Sequence, residues 1–383
     1  MKKAIRKIHL WLGLSSGLLV VFLGLTGCIL VFEHEIESLA SFRHVAVQAG
    51  PVQPPSVLRA AAEQSLGNGR KVVSIEYASE GEPALAYYYN ETEYFQVYLN
   101  PYTGQVLRRK DMSRDFFRFI IEGHYNLWLP HDVGQVIVAS ATLIFVVMMI
   151  TGMVLWWPKN KAARKQRFSV KWSAKWRRKN YDLHNVLGFY MTWVAIFIAI
   201  SGLVMGFQWM AKMTYWLASG GNTMPAYATA TSDTLALRNA PAGATTDIAW
   251  QRTTALARKD EAVSVTFPAT PDAAIQLSIN RRPGTLYQQD VYWYDQYTLA
   301  RLNPPGLFGG AYSKTSVAEK VSRMNYDIHV GAIGGLPTKI LAFFASLVAT
   351  SLPVTGFLIW RGRKKKGSKA TPARKGQAAA AVQ

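Results

Sequence analysis

The chain has 383 residues, half of them hydrophobic, yet its formal net charge is +20. A soluble domain accommodates that combination poorly, and a membrane protein with basic loops accommodates it well. The single cysteine, Cys28, excludes an internal disulfide.

In chain order, four charge-free apolar runs cover residues 10–32, 133–157, 183–209 and 340–360. A span needs roughly 20 residues at about 1.5 Å each, and each run suffices. Trp11, Trp156, Trp157, Trp209 and Trp360 fall at the run ends, where indole rings favour the interface. Of the 43 Lys and Arg residues, 22 lie in residues 2–7, 159–179 and 361–375. The excess of positive charge on cytoplasmic segments then predicts both termini inside, with 33–132 and 210–339 facing outward. The basicity is thereby topological, and a nucleic-acid surface is not expected. Residues 1–32 are too long in their apolar part for a cleaved secretory signal. Leu25 to Cys28 resembles a lipoprotein cleavage box, but the apolar run continues through Phe32, so a spanning helix is expected instead.

The second half echoes the first. His9 to Gly13 aligns with His184 to Gly188, and eighteen residues after each histidine comes a hydroxyl–glycine pair, Thr26-Gly27 and Ser201-Gly202. The second and fourth runs each follow a histidine (His124, His329) and a Leu-Pro step, and end in Thr151-Gly152 and Thr355-Gly356. Residues 180–184 (NYDLH) and 325–329 (NYDIH) share a string. Residues 94–107 read as strand, turn, strand, and residues 291–300 as a degenerate copy with Leu299 where the first has Gly104. The expected fold class is membrane α-helical: four transmembrane helices with two periplasmic α+β domains, in an internal helix–domain–helix repeat. The expected segments are 1–32 (N-terminus and first helix), 33–118 (first outer domain), 119–158 (second helix) and 159–180 (basic loop). They continue as 181–209 (third helix), 210–322 (second outer domain), 323–360 (fourth helix) and 361–383 (basic tail).

On this reading each spanning helix begins with a histidine, His9 and His184 at the inner side and His124 and His329 at the outer side. Eighteen helical residues rise about 27 Å, so each hydroxyl–glycine pair lies level with histidines of the oppositely directed neighbours. Two imidazoles at one depth can ligate a haem iron from both faces. Gly27, Gly152, Gly202 and Gly356 would let the flat macrocycle approach the backbone. With one cysteine there is no CxxCH attachment site, so two non-covalent bis-histidine haems are expected. The alternative is that these are ordinary interfacial histidines; zinc or copper suits two histidines per face less well. Asp182 and Asp327 stand two residues before their histidines, as helix caps or as imidazole acceptors. Arg178 and Arg323 are weaker candidates for haem propionates. His131 is an alternative outer ligand. His34 and His44 read as solvated, and Met148-Met149 as packing.

Residues 6–27 (RKIHLWLGLSSGLLVVFLGLTG) resemble the opening helix of PepSY-associated membrane proteins, and 97–107 (VYLNPYTGQVL) resemble the PepSY motif itself. The resemblance covers nearly the whole chain up to the basic tail. Within that family the chain is most similar to bacterial inner-membrane siderophore–iron reductases of the FoxB and PiuB type. The resemblance implies PepSY-like outer domains, and two b-type haems at His9, His184, His124 and His329. It also implies reduction of a ferric siderophore on the periplasmic side. No GxGxxG follows a strand, so the donor is expected to be a separate cytoplasmic or quinol partner. Leu299 departs from the motif and puts the role of the second domain in question. The rival class is a non-enzymatic PepSY-domain sensor or binding protein for envelope peptides or proteins.

Overall fold

The computed structural model describes residues 2–158, 160, 164, 167–239 and 245–367. Part of the basic-loop expectation at 159–180, and that for the tail beyond residue 367, lie outside the described residues. In chain order the helices are α1 (Lys2–Leu30), α2 (Glu33–Glu37), α3 (Pro55–Leu66), α4 (Phe116–Asn126), α5 (His131–Trp156), α6 (Trp176–Gly206), α7 (Gln208–Ala218), α8 (Thr245–Thr254), α9 (Val317–His329) and α10 (Leu336–Gly367). Strands β1 (Ser74–Tyr77), β2 (Ala84–Tyr89), β3 (Tyr94–Leu99) and β4 (Val106–Asp111) lie between α3 and α4. Strands β5 (Ala262–Thr266), β6 (Ile275–Asn280), β7 (Gln289–Tyr294) and β8 (Arg301–Leu302) lie between α8 and α9.

Among the described residues four helices, α1, α5, α6 and α10, are long and apolar enough to cross a membrane. Each packs on two others, in the ring α1–α5–α6–α10–α1. Large apolar side chains point outward, with Leu18 81% and Phe197 62% exposed, while the interior is built from Ala195, Ala199, Ala345 and Ala349. That inversion suits a lipid surround, in which small residues let helix backbones approach. A Cβ on Gly206 would come within 2.7 Å of the Ala139 Cβ, and one on Gly24 would collide with Thr350.

The outer segments differ from the expected pair of domains. The eight strands of the described residues form one antiparallel sheet in the order β4-β3-β2-β1-β5-β6-β7-β8. The halves join through β1 and β5, with Ile75 opposite Val265 and Glu76 opposite Ser264. Helices α3 and α8 cover one face, and Leu58, Ile75, Val97, Trp250, Val265 and Leu277 share a single core. Asp247 of α8 accepts from the Ser56 backbone N–H (2.9 Å) and hydroxyl (2.5 Å) at the start of α3, which also ties the halves together. Alternation gives each strand one apolar face, pairing of β1 with β5 makes the faces of the two halves continuous, and α3 and α8 bury them in one shared core.

The degenerate second motif folds as the first does. Asn100 accepts from the Tyr102 N–H at 2.9 Å, and Gly104 follows with φ +75°. Asp295 accepts from Tyr297 (2.9 Å) and Thr298 (2.8 Å), and Leu299 takes the same left-handed position at φ +57°. Leu299 is buried against the shared core, which holds a conformation costly for a side chain with a Cβ.

Three segment boundaries also differ. The second helix, expected over 119–158, is broken: α4 ends at Asn126, Leu127 and Trp128 adopt positive φ, and α5 starts at His131. The expected 323–360 helix is likewise divided into α9 and α10 around Gly331 (φ +75°). The third spanning helix starts at Trp176, ends at Gly206, and is followed after Phe207 by the separate α7.

Candidate functional site: two histidine pairs at opposite ends of the bundle

His9 and His184 lie well inside α1 and α6, not at their starts. His124 and His329 belong not to spanning helices but to the last turns of α4 and α9, which descend from the sheet onto the bundle. Asp115 caps α4 through the Arg118 N–H (2.7 Å), and Ser316 caps α9 through the Glu319 N–H (3.2 Å). Gly123 lets the Trp128 indole fold back beneath α4; a Cβ there would collide with the ring. Gly134 similarly admits the Asn126 carbonyl against α5.

All four imidazoles share one environment. Each Nδ1 meets the hydroxyl of a hydroxyl–glycine pair on a neighbouring helix: His9 with Thr151 (2.9 Å), His124 with Thr26 (2.7 Å), His184 with Thr355 (2.9 Å) and His329 with Ser201 (3.2 Å). The Cε1 edge then lies over the adjoining glycine. A Cβ would be 3.3 Å from it at Gly152, 3.6 Å at Gly27, 3.3 Å at Gly356 and 3.1 Å at Gly202. The reading of those glycines therefore changes: the space above each is filled by an imidazole rather than kept for a macrocycle. Gly152 and Gly356 in addition line a cavity at the end of the bundle that carries the N-terminus. Among the described residues no hydrogen bond engages Nε2 of any of the four.

These contacts run within each half, but the rings meet across halves. His124 and His329 face each other with ring centroids 6.2 Å apart. His124 and His329 would be the two residues to hold a haem iron at this end, through their Nε2 atoms. His9 and His184 line one cavity of about 730 Å³ at the end that carries the N-terminal basic residues. That volume lies inside the roughly 300–1,000 Å³ range of cofactor pockets. Lys2, Arg6, Lys7 and Arg167 line the same cavity, as does Trp156, whose buried Nε1 has no partner among the described residues. Trp156 stacks on Phe189 at 3.9 Å and gives the cavity an aromatic wall. The two Nε2 atoms without a partner among the described residues, the aromatic wall and the cationic lining fit a haem, which His9 and His184 would hold and whose propionates the basic residues could meet. Among the described residues no three His, Cys, Asp or Glu side chains converge, so the donor set does not fit structural zinc.

Other sequence candidates fall elsewhere. Asp182 pairs with Arg178 at 2.8 Å, and Asp327 accepts from the Leu286 N–H at 2.9 Å, pinning the β6–β7 turn to α9; neither caps a helix nor touches an imidazole. Arg323 is engaged by Glu319 (2.5 Å) and the Gln289 carbonyl (2.7 Å), so neither arginine is placed for a propionate. His131 is exposed against Tyr125, and His34 and His44 are exposed. Two residues escaped sequence reasoning although the shared NYDLH and NYDIH strings contained them. Asn180 donates to the Thr355 carbonyl at 3.0 Å, and Asn325 to the Ser201 carbonyl at 3.1 Å.

A four-helix membrane bundle capped by one antiparallel sheet, with a pair of histidines at each end, defines the class of protein. The chain belongs to the PepSY-associated TM region family, whose model matches residues 6–363. A search of curated proteins gives no match.

Proposed function

We propose that this chain is a di-haem oxidoreductase of a bacterial inner membrane, which carries electrons across the bilayer and reduces ferric siderophore iron in the periplasm. The observation that carries the reading is the fourfold repetition of one imidazole environment, arranged so that each pair draws one histidine from each half. His9 and His184 would hold one haem b, with Lys2, Arg6, Lys7 and Arg167 available to its propionates. His124 and His329 would hold the other, beneath the sheet. Bound haem supplies reversible one-electron chemistry. The side chains keep Nε2 available, and the apolar helices surround both sites. His9 to Thr26 spans about 25 Å of helix, which sets the separation of the two sites along the bundle. The basic residues at the end bearing the N-terminus support a cytoplasmic location for that end and a periplasmic one for the sheet. One electron converts Fe(III) to Fe(II), which hard siderophore oxygens hold less well, so iron leaves and the siderophore survives. The donor is a cytoplasmic or quinol partner.

The test uses the full chain in proteoliposomes loaded with an internal reductant, and a ferric hydroxamate siderophore outside. Fe(II) trapped by an external chelator should accumulate with the wild type and fall at least tenfold with His329→Ala. A chain that carries no b-type spectrum, or equal rates for the two proteins, would overturn the reading. A spectrum-free but folded chain would favour a PepSY-type binding protein for envelope peptides.

A further inference from the structure

We propose that Thr26, Thr151 and Thr355 are positioning residues that select the Nδ1–H tautomer of His124, His9 and His184, a task that the Ile198 carbonyl performs beside Ser201 at His329, and so present Nε2 to the gap between the halves. A hydroxyl has one proton and two acceptor lone pairs. Each of these hydroxyls already has a helix carbonyl in reach of its proton. Thr26 has Phe22 O at 2.9 Å, Thr151 has Val147 O at 2.9 Å, Thr355 has Ser351 O at 3.0 Å, and Ser201 has Ile198 O at 2.8 Å. A carbonyl only accepts, so the hydroxyl proton is directed there and its lone pair is left facing the imidazole. Nδ1 must then be the donor, and the ring's own lone pair resides on Nε2. At His329 the demand is made twice, because the Ile198 carbonyl also lies 3.0 Å from Nδ1.

The bland alternative is ordinary hydroxyl back-bonding in apolar helices, with the imidazole merely nearby. Two features separate the readings. The arrangement recurs at all four histidines and is always followed by a glycine under Cε1. It is also asymmetric in a way that makes a graded expectation. At the sheet end, the Thr26 hydroxyl is the acceptor that His124 meets, whereas His329 has both Ser201 and Ile198. Removing the hydroxyl should release His124 and leave His329 held.

An acceptor on Nδ1–H raises the basicity of a metal-bound imidazole. In the haem-loaded protein, the consequence for potential rests on the proposed function; the tautomer does not. The experiment takes the full chain in lipid nanodiscs, with and without haem, as wild type, Thr26→Val, Thr26→Ser and Ser201→Ala. In the haem-free protein, histidine ¹⁵N shifts should show a non-protonated Nε2 at His124 and His329 in the wild type. Thr26→Val should shift His124 towards the other tautomer, Thr26→Ser should restore it, and Ser201→Ala should leave His329 as it was. In the loaded protein, Thr26→Val should raise one midpoint by about 59 mV, a tenfold change in the reduced-to-oxidised ratio for one electron. Ser201→Ala should change it much less. A protonated Nε2 in the wild type overturns the proposal, and so does equal behaviour of Thr26→Val and Ser201→Ala. If Thr26→Val does not fold, the wild-type shifts and the serine variant decide it. If the wild type binds no haem, the functional reading fails while the tautomer result still stands or falls by its own shifts.

Discussion

Adding one methyl group at equivalent glycines should have different consequences in the two halves. At Gly27 a new Cβ would lie 3.6 Å from His124 Cε1 and 3.7 Å from Ser346 Oγ, which are ordinary contacts. Gly27→Ala therefore gains helix propensity, about 0.8–1.0 kcal/mol, with nothing to offset it. At Gly202 the Cβ would lie 3.1 Å from His329 Cε1, so the ring must give by a few tenths of an ångström. It can only move away from α6, which carries both of its acceptors, Ser201 Oγ at 3.2 Å and Ile198 O at 3.0 Å. The Ser201 contact starts long, and lengthening it ends it as a hydrogen bond. Losing about one such bond costs roughly 0.5–1.5 kcal/mol, which cancels the propensity gain. Gly202→Ala should thus unfold near the wild-type temperature, but with His329 displaced. Gly27→Ala should unfold later, with its histidine undisturbed. Thermal unfolding in nanodiscs reads the stabilities, and low-spin ferric haem resonances read the ligand. The reasoning is refuted if both variants shift the resonances equally, or if Gly202→Ala leaves them at the wild-type position.

Gly24→Ala should separate α1 from α10, since its Cβ would also lie 3.0 Å from the Ser346 carbonyl. A loss of about 1–3 kcal/mol is expected, and unchanged thermal stability would contradict it. With Cys28→Ser as background, Glu76→Cys and Ser264→Cys should cross-link, because these residues are direct partners on β1 and β5. Failure to cross-link would argue against one continuous sheet. Asp295 gives a pH effect. Burial alone would raise its carboxyl pKa, but N–H groups of Thr298, Asp233 and Tyr297 outweigh that and hold it below the ordinary value of 3.8. A depressed carboxylate contributes stability that is present above 3.8 and lost as pH falls through the lower folded value. Asp295→Asn, which copies Asn100, should flatten the stability profile in that acid window; an unchanged slope would remove Asp295 as its source.

The four spans were legible because apolar runs longer than a bilayer is thick have few other uses. The level of each histidine against a hydroxyl–glycine pair followed from helical rise alone, and the contacts of Thr26 with His124 and Thr151 with His9 occur at that level. The break at Phe207 was hidden because the apolar run continues through Trp209; at Leu127-Trp128 the following Pro130 marked an interruption, but nothing local forces positive φ at Leu127. The single sheet was hidden for a different reason. Pairing of residues 74–77 with 262–266 joins segments almost two hundred residues apart, and alternation specifies a face, not a partner. Asp182 and Asp327 misled because two-residue spacing suggests a cap, whereas their partners, Arg178 and the Leu286 amide, were set by tertiary packing.

The central claim is that each site takes one histidine from each half, and haem content in paired variants measures it most directly. The wild type should carry two b-type haems per chain, with a reduced-minus-oxidised Soret and α-band. His9→Ala and His184→Ala should each remove the same haem, and the double variant should lose no more than either single one. His9→Ala combined with His124→Ala, both in the first half, should abolish the spectrum. Loss of both haems in the His9→Ala, His184→Ala double variant, or one haem retained in the His9→Ala, His124→Ala double variant, would contradict the cross-half pairing.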